Sequence, residues 1–158
     1  MKTKKFGLLA IILAVTLLNL GATFNMNKAS SDIGNTIATS INTAIAGGSI
    51  VIYSGTLNGA SGSAPSGVLA TLTIPASGSN TIAAAQGAGV TLTLGSISSV
   101  SPSANGTAAT FRMLTSGSVC VFEGDVSTTS ASLNLNSLTL QTTGTLAISS
   151  FVITVPGT

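Results

Sequence analysis

A chain of 158 residues is long enough for one domain with its own core, and charge is nearly missing from it. Five Lys or Arg and three Asp or Glu make up 5% of the residues, for a net of +2, against about 25% in ordinary soluble domains. With no His and one Cys, a His-based triad, a His-ligated metal and a Cys-x-x-Cys redox or zinc site are excluded, and with 44% hydrophobic residues so is charge-driven disorder.

The first 29 residues form a block of their own. Lys2, Lys4, Lys5 and Lys28 all fall here, whereas beyond Ala29 the charges are Asp32, Arg112, Glu123 and Asp125. The body is thus slightly acidic and has no basic patch, so nucleic acid is not an expected partner. Residues 1–5, MKTKK, are basic, and Phe6 to Ala22 carries no charge, the build of a secretory signal. Extended to Met26 the run would be roughly 31 Å long as a helix, enough to span a bilayer. Three roles suit it: a cleaved signal ending at Ala22 or Ala29, an uncleaved anchor with its N-terminus cytoplasmic, or an apolar arm buried in an assembly. A prepilin cut after Gly7 is disfavoured, because no acidic residue follows near the start of the mature chain.

Ser31 to Ala46 reads as one helix, with Ser31 as N-cap, Asp32 in the first turn and Gly47-Gly48 as the stop. Ile33, Ile37, Ile41 and Ile45 recur every four residues. Such a row drifts only about 40° per step, so it forms one broad face, to pack on the chain's own sheet or on a neighbouring subunit. After Gly48 the pattern turns to strands: 49–57, 67–74, 90–100, 107–115, 118–126, 131–140 and 145–155, with 81–86 ambiguous. Ser/Gly/Pro-rich breaks such as 58–67 separate them. The expected fold class is mainly β. An antiparallel β-sandwich or jelly-roll-like domain at 49–158 follows an amphipathic helix at 30–48 and the hydrophobic leader at 1–29.

One hairpin can be read residue by residue. With Ser116-Gly117 as a two-residue turn, Met113 faces Cys120, Phe111 faces Phe122 and Arg112 faces Val121, with Glu123 diagonal to Arg112. The first four line a core face, and the Arg112 face is wet. The expected core is Phe111, Met113, Cys120, Phe122, Leu133, Leu135, Ile148 and Val152.

Few residues carry chemistry. Cys120 cannot pair within the chain and reads as a small buried hydrophobe. Glu123 and Asp125 are too few for a calcium cage of six to eight oxygens and, two apart on one strand, a weak basis for a glycosidase pair. They read as a polar turn. Arg112 pairs with Glu123 or Asp125, or reaches a neighbouring subunit. Asn105-Gly-Thr107 spells a glycosylation sequon but reads as a turn, and Asn134 and Asn136 alternate with Leu133 and Leu135 as the outward side of a strand. No catalytic, cofactor-binding or metal-binding residue is expected. The candidate assembly contacts are Ile33, Ile37, Ile41, Ile45 and Arg112.

The ordered series of an Ile-striped helix, GGSIVIYSGT, GVLATLTIP, GTAATFRML, VFEGDVSTTSASLNLNSLTL and a terminal SFVITVP resembles a group of small proteins encoded among tailed-phage structural genes and regarded as virion proteins. It covers most of Ser31 to Pro156, and the leader is an addition to that pattern. The resemblance implies a β-rich structural protein of a phage particle with no catalytic residues to carry over. The expected function is a virion component, a capsid decoration, head or tail protein, that packs with its own copies and with other virion proteins. The alternative is an exported or membrane-anchored surface subunit, pilin-like or an adhesin, held at the cytoplasmic membrane through residues 6–26.

Overall fold

The computed structural model describes residues 31–85, 89–129, 131–148 and 151–156. The leader at 1–29, and every reading placed on it, lies outside the described residues. What is described is mainly β with one helix.

Helix α1 spans Ser31–Ile45 and ends where Gly47 turns to φ 68°, with the Gly48 N–H donating to the Ile45 carbonyl at 2.9 Å. Its inward row is not the isoleucine row. Gly34, Ala38, Asn42 and Ile45 are buried, Ile37 and Ile41 are half-buried against the core, and Ile33 is 54% exposed. The drift of a four-residue repeat is the cause: over three steps it amounts to about 120°, so Ile33 and Ile45 cannot both face inward. Close approach decides which end gives way. A Cβ on Gly34 would lie 2.7 Å from Val90 Cγ2, so the helix backbone rests directly on the sheet at that point.

The strands are β1 (Ser49–Tyr53), β2 (Val68–Thr73), β3 (Thr81–Ala85), β4 (Gly89–Thr93), β5 (Gly106–Thr107), β6 (Thr110–Leu114), β7 (Cys120–Ser127), β8 (Leu133–Asn134), β9 (Thr139–Leu140) and β10 (Val152–Val155). They form a five-stranded sheet in the order β2-β1-β6-β7-β8, a three-stranded sheet β10-β4-β3 and a pair β5-β9. Helix α1 packs on β3, β4 and β10. In the larger sheet Ile50 faces Leu72 and Met113, and Ile52 faces Ala70 and Phe111. All six are buried. Phe111 meets Phe151, next to β10, edge to face with ring centres 5.8 Å apart, so the two sheets share one core.

The β6–β7 hairpin departs from the expected register. Thr115 pairs with Val119, with Ser118 at φ 63°, so the loop has three residues, and an irregularity follows between Met113 and Leu114. Each adds one residue to the count. Met113 therefore faces Phe122, Phe111 faces Gly124 and Arg112 faces Glu123 directly. Because the slip totals two, inside stays inside.

Three core expectations are corrected. Cys120 and Phe122 are half-buried, and Val152 is 49% exposed. Counting in twos from Ile148 carries Val152 inward, but Phe151, just before β10, and Val155 within it are buried instead. Phe111, Met113, Leu133, Leu135 and Ile148 are buried as expected. The antiparallel pattern also has an exception, since β7 and β8 pair in parallel over two residues. The short link is turned by side chains: Asp125 Oδ1 accepts the Ser132 Oγ–H at 2.8 Å, and Asn134 Oδ1 accepts the Ala131 N–H at 3.3 Å.

Candidate functional site

The densest polar cluster lies on the outer face of the larger sheet, where β1, β6 and β7 run side by side. Alternation places Val51 and Tyr53 of β1, Thr110 and Arg112 of β6, and Glu123 and Asp125 of β7 on this face. This face is not wet, contrary to expectation. Val51, Tyr53, Thr110 and Arg112 are each 7% exposed or less. The cover is the loop between β1 and β2, residues 54–67, which closes on itself through Ser54 N–H to Gly67 O at 2.9 Å and Gly55 N–H to Ser66 O at 3.0 Å.

Arg112 holds that loop down. Its Nε donates to Glu123 Oε2 at 3.0 Å. Its Nη2 donates to the carbonyls of Gly59 at 2.9 Å, Ser63 at 2.8 Å and Gly62 at 3.2 Å, and Nη1 reaches Gly62 as well. Thr110 Oγ1 adds a bond to the Gly55 carbonyl at 2.8 Å. A guanidinium suits this task because its planar fork serves several acceptors at once. The carbonyls of this Gly/Ser-rich loop thereby gain a charged donor that fixes them to the sheet. The pairing with Glu123 agrees with the local reading of Arg112. The clamp on the loop was not foreseen, although the unbroken apolar run SIVIY (49–53) is the mark of a strand buried on both faces.

Tyr53 and Cys120 border the cluster. Burial pushes the Tyr53 hydroxyl above its ordinary range, partly opposed by the Arg112 charge. Burial likewise raises the Cys120 thiol; Arg112 opposes this and Glu123 adds to it. A thiol shifted this way is a poor nucleophile at neutral pH, and its Sγ donates to the Phe122 carbonyl at 3.3 Å. Asp125 moves the other way. The Ser132 hydroxyl and N–H hold its carboxyl below the ordinary range.

Glu123 and Asp125 share a face but serve different partners, Arg112 and Ser132. Among the described residues no three of His, Cys, Asp or Glu gather as a metal site, and no buried side-chain nitrogen or oxygen lacks a hydrogen-bond partner. A depression of about 200 Å³ is lined by Pro102, Ser137, Thr139, Leu140, Gln141, Gly144 and Thr145. It offers hydroxyls and one amide but no titratable group.

The other singled-out residues have structural partners. Asn136 donates through Nδ2 to Thr145 O at 2.9 Å and accepts from Ala147 N–H at 3.0 Å. Asn105 Oδ1 accepts the Thr142 N–H at 2.8 Å. Sequence reading missed Asn42, which is buried on α1. Its Nδ2 donates to the Ser77 carbonyl at 3.2 Å, and its Oδ1 accepts from Asn80 Nδ2 at 2.7 Å. Asn80 Oδ1 in turn accepts the Gly95 N–H at 2.8 Å. The relay ties the helix to the smaller sheet, and nothing short of the fold would have paired residues so far apart.

Of the candidate assembly contacts, Ile33 is exposed, Ile37 and Ile41 are half-buried, and Ile45 and Arg112 are enclosed by the chain's own core and loop. Among the described residues no helix is long and apolar enough to cross a membrane. The chain matches no family model, no curated protein and no solved structure.

Proposed function

We propose that the chain is a non-enzymatic structural subunit of a phage particle, a capsid decoration, head or tail component that works by self-association and packing. The observation that carries this reading is where the charges sit. Arg112 and Glu123 are turned on each other beneath a loop, with side chains 6% and 10% exposed, and Asp125 is engaged by Ser132. Asp125 remains exposed, and the exposed large apolar side chains among the described residues are Ile33, Leu57, Val68, Val119 and Val152. Such a surface repels its own copies little. Among the described residues β2, β3 and β10 end their sheets without a further neighbour, and edges of this kind invite pairing with another chain. The series of segments that resembles small tailed-phage virion proteins is what inclines this reading to a particle over other assemblies.

This reading takes the fold as an antiparallel sandwich of jelly-roll-like build. The five- and three-stranded sheets are its layers, and Phe111 against Phe151 marks the seam. Ile33 and the open sides of Ile37 and Ile41 then serve contacts between subunits. Size-exclusion chromatography with light scattering on the full chain and on residues 30–158 tests the reading. Assembly of either supports it, and a soluble monomer from both at high micromolar concentration overturns it.

The leader sequence favours a second reading, an exported or membrane-anchored surface subunit. Intact mass of the natural protein separates the two. A chain lacking its first 22 to 29 residues supports export. A chain starting at Met1, with portal, terminase and tail genes nearby, supports the particle.

A further inference from the structure

The body contains two Asn-Gly dipeptides, Asn58-Gly59 and Asn105-Gly106. In this pair the glycine nitrogen, unhindered by a Cβ, attacks the preceding side-chain amide more readily than in any other. The fold treats the two pairs differently.

Asn105-Gly106 is tied down. Gly106 is paired with Leu140 in the β5–β9 ladder, and Asn105 Oδ1 accepts the Thr142 N–H at 2.8 Å. The side-chain amide is engaged by that bond and the glycine by its strand pairing, so cyclisation would have to break local structure. Asn58-Gly59 sits in the exposed part of the 54–67 loop. The Asn58 side chain makes one long bond, Nδ2 to Ser63 O at 3.3 Å. The Gly59 N–H donates to nothing among the described residues, and Gly59 has φ 82° with open space where a side chain would be. Its carbonyl is fastened by Arg112 Nη2 at 2.9 Å and by the Gly62 N–H at 2.7 Å. The loop is therefore anchored on one side of Gly59 and open on the other, at the nucleophilic nitrogen.

We propose that Asn58 is a self-modification site that takes water as its co-reactant and becomes an aspartyl or isoaspartyl residue, while the fold protects Asn105. The Gly59 nitrogen forms a bond to Asn58 Cγ. The Cγ–Nδ2 bond breaks, and ammonia leaves with the proton that Gly59 N gives up. Water then adds to one of the two carbonyls of the resulting succinimide. That carbonyl's bond to nitrogen breaks, and the nitrogen takes back a proton. Opening at Cγ gives aspartate, and opening at the main-chain carbonyl gives isoaspartate. No electrons are transferred. The product carries one new negative charge in a loop that has no charged residue of its own, next to the carbonyl that Arg112 holds.

The test is peptide mapping by mass spectrometry of the full chain, aged at mildly alkaline pH in native buffer and in urea. In urea both Asn-Gly peptides should gain one dalton at similar rates. In native buffer the Asn58 peptide should stay within a few-fold of its unfolded rate, while the Asn105 peptide slows on the order of tenfold or more, as local structure protects it. Asn58→Gln, which would need a six-membered ring, should abolish the gain in the loop peptide and leave the Asn105 rate unchanged. The proposal falls if the folded chain slows Asn58 as much as Asn105, or if in native buffer Asn105 converts as fast as Asn58.

Discussion

Gly124 of β7 lies directly opposite Phe111 of β6, and the ring occupies the space a side chain would need: a Cβ on Gly124 would come within 2.8 Å of Phe111 Cε1 and 2.9 Å of Ser132 Cβ. Gly124→Ala should therefore destabilise the fold by about 1–3 kcal/mol, the usual cost of overpacking. Urea denaturation measures it. An unchanged midpoint would mean that the Phe111 ring can swing aside.

Truncating Phe111 itself should cost about 3–5 kcal/mol, because it is buried and forms the contact with Phe151. Val152→Thr, at a half-exposed strand position, should stay within about 0.5 kcal/mol. Comparable losses for the two variants would place the core on the wrong side of β10.

Removing the guanidinium should release the loop. Arg112→Met leaves the Glu123 carboxylate, 10% exposed, without its partner and removes the charged donor from the carbonyls of Gly59, Gly62 and Ser63, at a cost of about 3–5 kcal/mol. Arg112→Lys keeps the charge but not the fork and should fall between. Adding Glu123→Gln to Arg112→Met should recover part of the loss, since the stranded carboxylate is gone. Limited proteolysis within residues 54–67 reports the release, and resistance equal to that of the parent chain would refute the clamp.

Stability should decline at both ends of the pH scale for identifiable reasons. Asp125, held below its ordinary 3.8 by Ser132, contributes stability above that value, and this is lost as pH falls through its folded value. Cys120 and Tyr53, raised by burial from 9.0 and 10.0, favour the fold fully below those values, and this is lost as pH rises past them. Ser132→Ala should remove the Asp125 part of the acid-side loss. Cys120→Ala should delay the alkaline decline until Tyr53 titrates. Urea midpoints across the pH range check both, and an alkaline onset that Cys120→Ala does not move would contradict the second.

How far the sequence could be read depended on the range of the interaction. Helix α1 is written in residues within four positions of one another, and its limits were legible within one residue. The hairpin kept its faces because the loop and the irregularity after it each added one residue. Val152 was misplaced because a rule of alternation holds only within one strand. The cover over Arg112 rests on contacts made 49 to 53 positions away in the chain, and no local pattern carries that. Asn42 and Asn80, partners 38 positions apart, are invisible for the same reason.

The place of β1 between β2 and β6 bears on how the chain reaches this state. Its partner β6 and the arginine that closes its loop arrive late. The Thr110 bond to Gly55 spans 55 positions, and Ile50 waits for Met113. Until then the β1–β2 hairpin presents the β1 edge as well as the outer edge of β2, and β1 shows apolar side chains on both of its faces. Loop-closure entropy over that span slows folding, and exposed strands of this kind are prone to mispair while they wait. On the ribosome, growing chains in neighbouring positions would carry the same open β1 edge at the same time.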